Sequence, residues 1–206
     1  IVAQIRLDRA RDEELLKAMR LANINTVTIG FESPIDEELK AMNKSLSQKD
    51  MVDWTKMFHK HGFFIHGMFI FGYPMKPGTN FSMSGQERVK RFKLFIKEAR
   101  IDTIQFLLPV PLPGTELRER LLQQNRGYAT KDLGWQYYDG SFPLIVPDSP
   151  LTPQELQLSL RQIMGRFYHA RYFYMFILGA LSFPHLVFYF HRIKIGWQRW
   201  YREWRN

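Results

Sequence analysis

The chain has 206 residues, 45% of them hydrophobic and 24% charged, a balance that excludes intrinsic disorder and allows a sizeable core. It contains no cysteine, which excludes disulfides, thiolate-held metals and cysteine nucleophiles within it. The net charge of +9 is uneven: residues 151–206 hold eight Lys/Arg against two Asp/Glu, a bias that points to an anionic partner, lipid headgroups or nucleic acid. Ile1 stands inside a strand-like run with neither an initiator Met nor a signal peptide before it, so we expect a piece of a longer protein.

In chain order, IVAQIRLD (1–8) predicts a strand and DEELLKAMRLA (12–22) an amphipathic helix with an acidic start. TVTIGFES (26–33) predicts the second strand. The helix after it is expected to use Ser33 as N-cap, Pro34 at its first position and Asp36 in the capping-box position. Ser47 and Asp50 open the next helix, which Gly62 ends. FFIHGMFIFGYP (63–74) predicts a third strand, and Val89, Phe92, Ile96 and Ala99 form a helical stripe. TIQFLLPVP (103–111) predicts a fourth strand, followed by a short helix in GTELRERLLQQN. Residues 126–165 are loop-rich and end in a helix with Thr152 and Glu155 as its capping box. Three parts result: 1–125, 126–165 and a helical tail, 166–206.

Strands separated each time by a helix require right-handed crossovers and a parallel sheet; an open sheet and a barrel both satisfy this. Reading every second residue separates two faces. One carries Gln4, Arg6, Thr26, Thr28, Gly30, Glu32, His66, Met68, Ile70, Thr103 and Gln105; the other carries Ile5, Leu7, Val27, Ile29, Phe31, Phe69, Phe71, Ile104 and Phe106. An oily face meets helices, and a mixed face repeated over four strands suits a barrel interior with a ligand in it. Core polar groups that satisfy one another are the alternative.

Ligands of parallel βα architectures sit at the carboxyl ends of the strands, where Glu32, Gly72 with Pro74, and Pro109 with Pro111 fall. A carboxylate beside an apolar run is costly unless it is paired. Glu32 therefore needs a partner, either a ligand or Arg6 of the neighbouring strand. His59 and His61 stand two apart on a helix, cannot face one metal together, and read as solvated, so no metal site is expected. Tyr137 and Tyr138 read as a packed turn.

IGFESPIDEELKAMNKSLS, HGMFIFGYP and FLLPVPLPGTEL, in this order and spacing, resemble the radical S-adenosylmethionine (SAM) superfamily. The opening AQIRLD and the later TKDLGWQYYDG are similar to its branch with a cobalamin-binding domain, and the resemblance covers about residues 1 to 165. It implies an α/β fold in which this chain supplies the C-terminal four βα units of a partial (β/α)6 TIM-like barrel. It also implies SAM as cofactor, with Glu32 and Ser33 facing the ribose or amino acid part, Ile70 and Gly72 beside adenine, and Leu108 and Pro109 bordering it. Gln4, Arg6 and Gln105 would line the SAM or substrate pocket. The superfamily's [4Fe-4S] cluster needs three cysteines, and this chain has none, so cluster and cobalamin would be held by a missing N-terminal part. The implied activity is radical chemistry, such as cobalamin-dependent methyl transfer on a lipid or tetrapyrrole-like small-molecule substrate. A non-enzymatic membrane-surface module built on a decayed barrel is the alternative.

In the tail, residues 172–190 lack formal charge over a length close to a bilayer span, but Ser182, Pro184 and His185 interrupt them. Pro184 is expected to separate two short helices. Beyond it Trp197, Trp200, Tyr201 and Trp204 share a helical face among arginines, which suits an anionic membrane surface. Packing of these helices against the rest of the protein is the competing reading, and no motif favours nucleic acid. The expected location is cytoplasmic, peripheral at the inner face of the membrane.

Overall fold

A computed structural model describes residues 1–128, 133–180 and 194. The chain divides into two compact units, Ile1–Met164 and Gly165–Asn206. The first holds four strands in the order β1 (Val2–Gln4), β2 (Thr26–Glu32), β3 (Phe64–Ile70) and β4 (Thr103–Leu107), every neighbouring pair parallel. Between them run α1 (Glu13–Leu21), α2 (Asp36–Ala41), α3 (Gln48–Lys60) and α4 (Gly85–Glu98); α5 (Glu116–Gln123) follows β4, and α6 spans Pro153–Ala180. The expected α/β fold with a parallel sheet is therefore the observed one.

The register carries the alternation of residue types across the sheet. Thr28, His66 and Thr103 form one row, and Gly30, Met68 and Gln105 the next. Val27, Ile29, Phe31, Ile65, Phe69, Ile104 and Phe106 point the other way and are buried. There Phe69 stacks between Phe31 and Phe106, with ring centroids 5.6 and 4.9 Å away, and α4 sets Phe92 and Phe95 edge-on to it. Each such pair contributes about 0.5–1.5 kcal/mol beyond area burial. The mixed face stays half-open, although parallel sheets are usually covered on both sides.

Several boundaries differ from expectation. β1 ends at Gln4, and Leu7–Arg11 form a 3-10 turn, because burying Leu7 and Ala10 draws the chain off the sheet edge. β4 stops before Pro109, whose ring nitrogen cannot donate to a ladder. α2 begins at Asp36 with Ile35 as N-cap, so Ser33 and Pro34 lie outside it. Ser33 instead accepts the Ile35 amide at 3.1 Å and donates its hydroxyl to Glu38. The capping boxes of Ser47 with Asp50 and of Thr152 with Glu155 form as expected.

Candidate cofactor site

Glu32 ends β2 in an unusual backbone state. The ladder to β3 shifts register between Gly30 and Glu32, Glu32 has φ +63°, and the Ser33 amide donates to the Phe31 carbonyl at 2.8 Å. That bond closes a three-residue turn centred on Glu32, in the rare form with positive φ. A non-glycine residue held this way costs about 1–3 kcal/mol and persists only when its surroundings fix it. The turn lays the carboxylate over the open face, where a Cβ on Gly30 would come within 2.8 Å of Glu32 Oε1. That oxygen is the end of a flexible side chain, so a Cβ at Gly30 would displace the carboxylate rather than meet fixed backbone.

The partner of Glu32 is not Arg6. Lys44 Nζ donates to Glu32 Oε1 at 3.2 Å, while Arg6 pairs with its near neighbour Asp8 at 2.7 Å and is largely exposed. Lys44 was not singled out from sequence; its position just past the end of α2 was the available signal. Beside this pair a cavity of about 660 Å³ opens at the carboxyl ends of β1 and β2, lined among others by Arg6, Arg11, Gly30, Lys44 and Trp54.

Gln4 and Gln105 are exposed on the open face, and Ile70 lies half-exposed on it opposite Leu107. His66 Nδ1 pairs with Thr103 Oγ1 at 2.9 Å within the polar row. The remaining candidates are placed differently. The Ser33 hydroxyl is fully buried and committed to Glu38. Leu108 is buried, its amide donating to the Gly140 carbonyl at 2.7 Å, so Leu107 and not Leu108 is the β4 side chain on the open face. Pro109 is buried beside it. Gly72, at φ +74°, has its missing side-chain space filled by Leu156 of α6.

His59 and His61 are half-buried rather than solvated, their rings bonded to the carbonyls of Arg100 and Met57. Tyr137 packs edge-on to Phe142, and Tyr138 lies against Trp135. Among the described residues no cluster of His, Asp and Glu could hold a metal ion, and no helix is long and apolar enough to cross a membrane. Trp197, Trp200 and Trp204 lie outside the described residues.

The parallel α/β sheet with its intervening helices is similar in fold to part of a larger solved enzyme, and the sequence is similar to parts of curated methyltransferases. Coproporphyrinogen III oxidase from Escherichia coli, described as a radical SAM enzyme, superposes with a TM-score of 0.53 at 13% identity over 81% of this chain and 32% of its own. In sequence, an uncharacterized methyltransferase of Pyrococcus horikoshii is 27% identical over 157 residues, 76% of this chain and 32% of that protein. The bacteriochlorophyllide d C-12(1)-methyltransferase of Chlorobaculum tepidum is 28% identical over 138 residues, 66% of this chain and 27% of that protein. The chain therefore spans about a third or less of the length of these relatives. No protein-family model matches it.

Proposed function

We propose that this chain forms part of the SAM-binding wall of a radical SAM methyltransferase, with Glu32 taking the vicinal hydroxyls of the SAM ribose. The strained turn at Glu32 carries the reading: it sets a carboxylate at a strand's carboxyl end, held on Oε1 by Lys44. The donor set fits the nucleoside. A carboxylate accepts hydrogen bonds from two neighbouring hydroxyls, and Met68, Ile70 and Leu107 continue the same face as an apolar shelf for a base. Gly72 and Pro109 flank the shelf through their backbone, and Ser33 acts from behind Glu32. Gln4, Arg6 and Gln105 border the space left for a substrate.

No cysteine in this chain can hold an iron–sulfur cluster, so its residues do not fit that group, and their part is to bind and orient the nucleoside. Cobalamin dependence rests on the sequence resemblance. A tetrapyrrole-like substrate is supported by the bacteriochlorophyllide-methylating relative, and a lipid substrate at an anionic membrane by the basic tail alone. The test is equilibrium dialysis of labelled SAM against the protein that contains this chain. Glu32→Gln is expected to weaken SAM binding about 10- to 100-fold, the equivalent of the ~1.5–3 kcal/mol of hydrogen bonds to a charged group. A folded variant that binds SAM within twofold of the parent refutes the assignment.

A further inference from the structure

Behind the Glu32 turn lies a buried ion pair. Arg88 of α4 is 2% exposed, Glu38 of α2 is wholly buried, and the two carry opposite charges in direct contact. The other Glu38 oxygen accepts the Ser33 hydroxyl, and Ser33 Oγ accepts the Ile35 amide. Arg88 is itself fixed: Nε donates to the Met83 carbonyl at 3.3 Å, and its guanidinium lies 5.2 Å from the Phe81 ring centre. Burial draws its pKa down to about 10 against the opposing pull of Asp148, which leaves it charged at neutral pH.

A buried ion pair is a poor source of net stability, because desolvation cancels most of the attraction. What this one does hold is position. Ser33 follows Glu32 directly, and its amide closes the strained turn. Glu38 sits on α2, after which the chain turns through Asn43 (φ +57°) to Lys44, whose amide donates back to the Leu39 carbonyl at 2.8 Å. One cluster thus reaches both sides of the Glu32–Lys44 contact, the turn through Ser33 and the lysine through α2.

We propose that Arg88, Glu38 and Ser33 are positioning residues, a buried pin that holds the Glu32 turn and the end of α2 so that the Glu32 carboxylate is preset for its ligand. The benefit to ligand binding rests on the reading of Glu32 given above; the rigidity of the turn does not. Preset geometry raises affinity because nothing need be ordered on binding. Arg88→Met alone strands a buried carboxylate and can abolish folding, so the working variant is E38L/R88M, which removes both charges and keeps the volume apolar.

Two measurements on the protein containing this chain decide the matter: amide hydrogen exchange by NMR, and SAM affinity with Glu32 present or replaced by Gln. We expect the Ser33 amide to exchange at least tenfold faster in E38L/R88M while Ile29 stays within twofold. SAM affinity should fall at least fivefold with Glu32 present and less than twofold in the Glu32→Gln background. Unchanged Ser33 exchange overturns the proposal, and so does an equal loss of affinity in both backgrounds. Faster Ser33 exchange in a protein whose Glu32→Gln variant binds SAM normally upholds the pin and overturns the ligand role of Glu32.

Discussion

Replacing Gly72 by Ala separates packing from ligand approach as the reason for that glycine. At φ +74° a Cβ would lie 2.4 Å from Leu156 Cδ2 and 3.6 Å from Leu151 Cδ1. Two costs follow: the left-handed backbone, about 1–2 kcal/mol for a residue with a side chain, and forced overpacking, about 1–3 kcal/mol. Gly78, at φ +80°, has nothing within 4 Å of the same position, so Gly78→Ala meets the first cost alone. Gly72→Ala is thus expected to lose roughly 2–5 kcal/mol and Gly78→Ala roughly 1–2 kcal/mol. Urea unfolding followed by far-UV circular dichroism reads the difference as a larger drop in midpoint at constant slope. Leu156→Ala in the Gly72→Ala background removes the clash, so the double variant should lose clearly less than the two single losses added together. Equal midpoints for the two glycine variants, or strict additivity with Leu156→Ala, refute the packing argument. A Gly72→Ala protein of parental stability that binds SAM weakly would place the glycine's role at the ligand instead.

Gly67→Ala tests the aromatic layer: its Cβ would meet Ile101 Cγ2 at 2.9 Å and Phe69 Cε2 at 3.0 Å, and a loss of about 1–3 kcal/mol should appear as a lower melting temperature. A neutral result would mean that the phenylalanine stack repacks freely. The Ser84 hydroxyl and amide hold the exposed Glu87 carboxyl below the usual carboxylate range. A folded pKa below the unfolded one gives stability that is complete above the unfolded value and disappears as pH falls through the folded one. Glu87→Gln should therefore lower the melting temperature at pH 7, and the gap to the parent should close in strong acid; a gap independent of pH would contradict the capping role.

The two faces of the sheet were legible because strand side chains alternate: Thr26, Thr28 and Gly30 against Val27, Ile29 and Phe31 can be sorted by counting. Helix starts at Ser47 and Thr152 were legible for the same local reason, since a capping box closes within four residues. Ser33 was misread because the same local rule applied to it. Its hydroxyl answers to Glu38 and, through it, to Arg88 on α4, a choice made by the buried pair and invisible to a window around the helix start. Likewise the sequence places Gly72 at a strand end without revealing that Leu156, from a distant helix, fills the space beside it. Leu108 is named by the resemblance alone, whereas the alternation along β4 puts Leu107 on the open face and Leu108 is buried.

Glu32 shows how far the local physics goes. Its position at the end of an apolar strand predicted that the carboxylate must be met, and Lys44 meets it. Yet that pair does not account for the backbone. The Lys44 side chain is 43% exposed and that of Glu32 21%, and pairs open to solvent contribute about 0–1 kcal/mol. The positive φ costs about 1–3 kcal/mol. An extended Glu32 would give up no more than the pair and would recover the strain, so contact with Lys44 cannot by itself keep the turn in place. The buried Ser33–Glu38–Arg88 cluster supplies the missing constraint, and it holds a carboxylate on the open face that the fold alone does not need. Conflicts between a residue's local preference and its tertiary setting concentrate at functional sites, and the conflict at Glu32 is what the proposed SAM-binding role rests on.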